Sequence, residues 1–257
     1  MRKITRLQQL FADKKAYVGY LTVGDGGMAR SLEIARALIA GGVNMLELGV
    51  PFSDPVADGP VIQRAAQRAV ANNTTVNDVL ELARVLRQES AIPLVLFSYY
   101  NPLLATSSWI EKAKIVGLDA VLVVDLPYEE ARVFNATCRQ QGIVSIAIIT
   151  PATTEQRLKM LVKQAQGFLY YACRTGTTGI KNSLPPDLSK QLTMIKQHTD
   201  LPVVVGFGVS DSTMVKAINQ QADGVVVGSY FMKALEEGAA PVELTQLARR
   251  LWEGGCG

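Results

Sequence analysis

Short apolar runs rich in Val, Ile, Leu and Tyr recur along the chain. They are AYVGYLTV (16–23), NMLELGV (44–50), IPLVLFSYY (92–100), DAVLVVD (119–125), IVSIAIIT (143–150), GFLYYAC (167–173), PVVVGF (202–207) and DGVVVGS (223–229). Between them lie stretches with helical periodicity, among them SLEIARALIA (31–40), VNDVLELARVLRQ (76–88), SWIEKAKIV (108–116) and TMVKAINQQ (213–221). Strands alternating with helices imply βαβ units and a parallel sheet. The runs are apolar on both faces, as strands buried beneath helices are. Eight such units in 257 residues predict a TIM (β/α)8 barrel occupying residues 1–257 as one domain. An open doubly wound sheet is the competing reading, disfavoured because no glycine-rich dinucleotide fingerprint follows the first strand. Ile4, Leu7, Leu10 and Phe11 mark one face of an extra N-terminal helix. The gap from 51 to 91 leaves room for two helices and an inserted loop after strand two.

Composition narrows the picture. With 26 basic and 23 acidic side chains the net charge is +3, and no basic block stands out, which argues against a nucleic-acid partner. No apolar stretch has the roughly 18 residues of a membrane helix, and the N-terminus lacks the apolar centre of a signal peptide. Cys138, Cys173 and Cys256 are far apart and have no metal-binding spacing, consistent with a reducing cytoplasm.

The stretch LELGVPFSDPVADGP (46–60) places an acid inside an apolar strand. By period-two alternation Leu46, Leu48 and Val50 share one face, and Met45, Glu47 and Gly49 the other. If the leucines meet the helices, Glu47 points into the barrel near the C-terminal rim, where active sites of this fold lie. Poor solvation there raises a carboxyl's pKa and suits it to proton transfer near neutrality. A buried ion pair is the alternative, but no Lys or Arg ends a neighbouring strand. Asp58, in a polar loop at the same rim, is expected to have a pKa separated from that of Glu47, dividing acid and base roles. Asp54 and Asp58 have Asx turns as their plain alternative. For Asp125, at the end of strand four, it is a helix cap. Glycines after strands seven and eight, in VVVGFGVSDS (203–212) and VVVGSYFM (225–232), suggest an anion site made by backbone amides and helix N-termini. The loop RTGTTGIKNSLPP (174–186) has the composition of a lid. The single histidine, His198, precedes strand seven on the opposite face and more naturally interacts with a helix C-terminus. No lysine lies in a strand, and Lys181 in the lid is the only near candidate for an imine. A phosphate site and carboxylates remain, with neither metal nor imine.

The set LELGVPFSDPVADGP, FSYYNP (97–102), VVDLP (123–127), RTGTTG (174–179), GFGVS (206–210) and VVVGS (225–229) resembles the tryptophan synthase alpha subunit family, colinearly from the first helix to the last. The resemblance implies cleavage of indole-3-glycerol phosphate to indole and glyceraldehyde 3-phosphate. It also implies a beta-subunit partner in an alpha2–beta2 assembly, with pyridoxal phosphate in the partner and no cofactor in this chain. Carried over by position, Glu47 and Asp58 resemble the catalytic pair, and Thr178 the lid threonine that closes onto Asp58. Gly179, Gly208, Gly228 and Ser229 resemble the phosphate-binding positions, and Tyr20, Ile62, Phe97, Asp125 and Tyr170 the indole pocket. Pro51 to Asp58 and the lid resemble the segments facing the beta partner. Gly26, where the family usually has Pro, Cys173 for Ser and Tyr20 for Phe depart from the pattern, and Phe97 narrows the pocket. Two other readings remain open: another phosphosugar enzyme on the same barrel, and a non-catalytic activator of a beta subunit.

Overall fold

The computed structural model describes residues 5–173, 184–206 and 208–256. Thr178, Gly179 and Lys181 therefore lie outside the described residues. The first half of the chain runs α1 (Arg6–Asp13), β1 (Ala16–Thr22), α2 (Met28–Ala40), β2 (Met45–Gly49), α3 (Pro60–Ala71), α4 (Val76–Glu89), β3 (Leu94–Ser98), α5 (Tyr100–Ala105), α6 (Trp109–Ile115) and β4 (Ala120–Val123). The second half runs α7 (Arg132–Gln141), β5 (Val144–Ser145), β6 (Ala147–Ile149), α8 (Glu155–Val162), β7 (Leu169–Ala172), α9 (Leu188–Lys196), β8 (Val203–Gly206), α10 (Ser212–Asn219), β9 (Gly224–Val227), α11 (Ser229–Glu236) and α12 (Pro241–Cys256).

The strands are parallel, in the order β5-β4-β3-β2-β1-β9-β8-β7-β6. β5 and β6 are two parts of the fifth apolar run, separated by Ile146, so the sheet closes on itself as a (β/α)8 barrel. The eight runs read from the sequence are all present, the fifth as two short strands. The gap after strand two holds α3 and α4, as its length suggested. None of the described helices is long and apolar enough to cross a membrane.

Alternation sorts the strand residues into two concentric layers. Val18, Met45, Val95, Leu122, Val204 and Val226 fill the barrel interior. Leu46, Leu48, Leu96 and Val205 face outward into the layer shared with the helices. Leu7 and Leu10 of α1 close the N-terminal end against the inner cluster, and Phe11 meets Phe168 with ring centroids 5.7 Å apart. Local sequence sets the helix that makes this floor. Thr5 and Gln8 form a capping box at the start of α1, satisfying amides that a helix start leaves open. At the opposite end, Pro60 occupies the first position of α3, where its fixed φ fits and no amide is missed.

Two glycines make room inside the barrel. A Cβ on Gly49 would lie 2.4 Å from the Tyr20 hydroxyl, and one on Gly206 would lie 2.2 Å from the Tyr170 hydroxyl. Both tyrosines can therefore lie across the interior at the level above the aliphatic layers. Gly26 has a φ of +80°, which a proline ring cannot adopt. The departure from Pro at this position is thus matched by a different local backbone.

Candidate active site

Glu47 lies at the centre of β2, opposite Tyr20 on β1 and Val95 on β3. It is 1% exposed. Neither carboxyl oxygen has a hydrogen-bond partner among the described residues. The ion-pair alternative therefore has no support there. Burial disfavours the charged form and raises the pKa from 4.5 to about 8. At neutral pH this side chain carries a proton.

Asp58 is set differently. The loop after β2 folds it inward to 4% exposure, rather than leaving it in solvent as its polar sequence context suggested. The Tyr99 hydroxyl donates to Asp58 Oδ2 at 2.9 Å and accepts from the Ala57 amide at 2.9 Å. Burial raises the Asp58 pKa from 3.8 to about 6, and the Tyr99 hydrogen bond opposes that rise. The two carboxyls are kept apart in pKa, as the sequence predicts, although both move upward. Tyr99 was not singled out by sequence reasoning. The signal available was its place in FSYYNP, where it ends the strand next to the one bearing Glu47.

The pocket residues divide. Tyr20 is buried, with its hydroxyl 3.2 Å from Thr22 Oγ1 and its ring edge-to-face with Phe97 at 5.2 Å. The Tyr20 phenol is pushed well above its ordinary value by burial, then by the Asp58 charge. Tyr170 is pushed up by burial, then by Glu47. Both rings thus feel the carboxyl pair. Ile62 is buried in the first turn of α3. Asp125 is exposed and accepts the Tyr100 amide at 2.7 Å. It caps α5, the helix after strand three rather than the one that follows Asp125 itself. Asp54 is exposed and accepts from the Ser53 hydroxyl at 2.7 Å, as a turn residue does. His198 follows α9, its Nε2 3.2 Å from Glu155 Oε1. Cys173 is buried at the end of β7.

Gly228 is the N-cap of α11, with no side chain capping the helix, and Ser229 is buried beside it. A Cβ at Gly228 would approach Tyr20 Cβ to 3.2 Å. The neighbouring α10 is different, because Asp211 caps it by accepting from the Met214 amide. A carboxylate already occupies that helix N-terminus, so α11 is the better place for an anion. Gly208 is half-buried in the loop before α10. The α11 and α3 helices are held together by charge. Arg68 makes two bonds to Asp25, at 2.6 and 2.8 Å, and one of 3.0 Å to Glu236, which Arg64 also grips at 2.8 and 2.6 Å.

A closed (β/α)8 barrel with a neutral carboxylic acid inside its rim, and an ionisable partner of lower pKa beside it, defines an acid–base enzyme of the barrel class. The chain belongs to the tryptophan synthase alpha chain family, whose model matches residues 7–252. The tryptophan synthase alpha chain of Coxiella burnetii (strain CbuK_Q154) is 50% identical over 249 residues, covering 96% of this chain and 97% of the relative. That of Chlamydia felis (strain Fe/C-56) is 45% identical over 253 residues, covering 96% and 98%. Among solved structures, Mycobacterium tuberculosis tryptophan synthase superposes with a TM-score of 0.91 at 30% identity, covering 98% of both chains. Members of the family are carbon–carbon lyases that cleave indole-3-glycerol phosphate, and this chain is such a lyase.

Proposed function

We propose that Glu47 and Asp58 carry the cleavage of indole-3-glycerol phosphate to indole and glyceraldehyde 3-phosphate. The observation that supports this best is the buried Glu47 carboxyl, without a hydrogen-bond partner among the described residues and with a pKa of about 8. Breaking the bond between indole C3 and the glycerol chain requires an electron sink. The indole ring becomes that sink once C3 is protonated. Glu47 donates this proton, and positive charge develops on the ring nitrogen. Asp58, ionised at pH 7, accepts the ring N–H and stabilises that charge, a stabilisation aimed at the transition state. The side-chain hydroxyl then gives its proton to the Glu47 carboxylate as the carbon–carbon bond breaks. Its two electrons restore the aromatic ring, an aldehyde leaves, and Glu47 is again protonated.

The phosphate sits at the uncapped N-terminus of α11, on Gly228 and Ser229, with Gly208 and Gly179 contributing backbone amides. Tyr20, Ile62, Phe97 and Tyr170 enclose the indole, with Asp125 at the mouth. Thr178 closes onto Asp58 from the lid. The chain works as a single barrel domain in the cytoplasm, in an alpha2–beta2 assembly. The beta subunit holds pyridoxal phosphate and consumes the indole, and loop 51–58 and the lid face it.

The test is indole release from indole-3-glycerol phosphate by the purified chain, repeated with a beta subunit. Indole should appear at a low rate from the chain alone and at a higher rate in the complex. Absence of indole in both conditions refutes the assignment.

A further inference from the structure

The barrel wall is incomplete at one place. The ladder between β4 and β5 has two pairs, Ala120–Val144 and Val121–Ser145. Beyond Ile146, among the described residues, the chain pairs only with β7, through Ala147, Ile148 and Ile149. No pair joins the upper half of β4 to β6, so a notch opens between them. A cavity of about 350 Å³ occupies it, within the range of small-molecule sites.

Its lining shows that it crosses the wall. Val124, Ile146 and Ile148 belong to the layer packed inside the barrel, and all three line the cavity. Ser145 and Ala147 have the opposite parity, and Phe134 and Leu161 come from the covering helices α7 and α8. Polar and apolar groups share this wall about equally, so an occupant needs an apolar body that also carries polar groups.

The polar groups specify the rest. Arg157 lines the cavity but is paired with Glu129 at 2.7 and 3.0 Å. Asp125 is engaged by the Tyr100 amide. Neither charge is open to a ligand of opposite sign. Ser145 and Asn135 also line the cavity and are half-buried, and Gln164 lines its exposed edge. Their side chains have no hydrogen bond among the described residues. A hydroxyl and two carboxamides can each donate and accept, and unpartnered polar groups in a cavity favour a ligand that satisfies them.

We propose that this lateral notch is a second ligand site, taking a neutral, planar molecule of one or two fused rings with an N–H or O–H group. It rests in one respect on the proposed function, since indole has this chemistry and forms on the other side of the Val124–Ile148 wall. A phosphate ester is disfavoured in the notch because, among the described residues, the one cation lining it, Arg157, is paired with Glu129.

The experiment measures indole binding to the full chain while 3-(indol-3-yl)propyl phosphate saturates the barrel mouth. A second, saturable indole site should persist, and the side-chain amide NMR signals of Asn135 and Gln164 should shift with it. Ala147→Leu and Ser145→Leu, which fill the notch, should each weaken this binding at least tenfold and leave the phosphate analogue's affinity unchanged. Indole binding that vanishes under the analogue overturns the site. So does binding that leaves the Asn135 and Gln164 amides unmoved, a readout taken on the unmodified chain. If the analogue itself fails to bind, the proposed function fails, while the two amides and the two leucine variants still report on the notch.

Discussion

At the scale of single residues, the proposed chemistry depends on two carboxyls kept apart in pKa by their surroundings. Glu47, buried and with no hydrogen-bond partner among the described residues, sits at about 8, and Asp58, steadied by Tyr99, at about 6. The proposed mechanism needs Glu47 protonated and Asp58 ionised in the free chain. Its kcat/KM should therefore be bell-shaped, falling below about pH 6 and above about pH 8. Tyr99→Phe removes the donor that favours ionised Asp58. The acid limb should move to higher pH by about one unit, with the basic limb unchanged, as a pH–rate profile of the variant reads directly. An unmoved acid limb separates Tyr99 from Asp58. Glu47 was legible in the sequence because period-two alternation on β2 sends leucines one way and the acid the other. The burial of Asp58 was not, because it depends on a loop folding against a tyrosine 41 positions away in the chain. Asp125 reads equally as cap and pocket residue in sequence, and its bond to the Tyr100 amide ties it to α5 rather than to the helix that follows it.

At the scale of elements, strand alternation and small residues shape the pocket. Gly206 on β8 leaves space for the Tyr170 hydroxyl of β7. Gly206→Ala should destabilise the barrel by about 1–3 kcal/mol and weaken binding of an indole-bearing ligand. That Cβ would also meet the ring itself, 2.4 Å from Tyr170 Cζ and 2.6 Å from Cε1, so a smaller side chain is needed, and Tyr170→Leu should restore much of the lost stability, measured by denaturant unfolding of the single and double variants. Failure of the double variant to recover means the two residues do not share the space. Gly228→Asp places a carboxylate at the phosphate site proposed for the α11 amides. It should weaken glyceraldehyde 3-phosphate binding tenfold or more, and an unchanged affinity moves the phosphate site elsewhere. Eight strand runs were visible from periodicity alone. The division of the fifth into β5 and β6 was not, since IVSIAIIT is uniformly apolar and its break comes from pairing with two different neighbours. Gly26 likewise reads as a mere departure until its φ of +80° shows what the backbone requires.

At the scale of the whole molecule, the account joins two loops and a partner. Loop 51–58 carries Asp58, and the loop after β7 carries Thr178. If the two meet only when the lid closes, a beta subunit touching loop 51–58 favours the closed form by its difference in affinity for the two states. Thr178→Val keeps the size and removes the hydroxyl. It should lower indole release in the complex more than in the free chain. The ratio of the two rates, for parent and variant, measures this coupling, and an unchanged ratio rules out a Thr178–Asp58 latch. The colinear motifs made this scale legible through family resemblance, whereas strand periodicity says nothing about a partner.

The central claim is that Glu47 is the proton donor, and turnover by Glu47→Gln tests it most directly. The amide keeps the size and cannot deliver the proton. Folding of the variant is checked by stability against pH. In the parent, the unfolded chain gives up the Glu47 proton near pH 4.5 while the folded chain holds it to about 8, so stability falls as pH rises through that window. The variant should lack this component of the slope. With binding of 3-(indol-3-yl)propyl phosphate retained, the account predicts that indole formation from indole-3-glycerol phosphate falls by about 10²–10⁴-fold. A Glu47→Gln chain that binds the analogue and releases indole at close to the parent rate contradicts it.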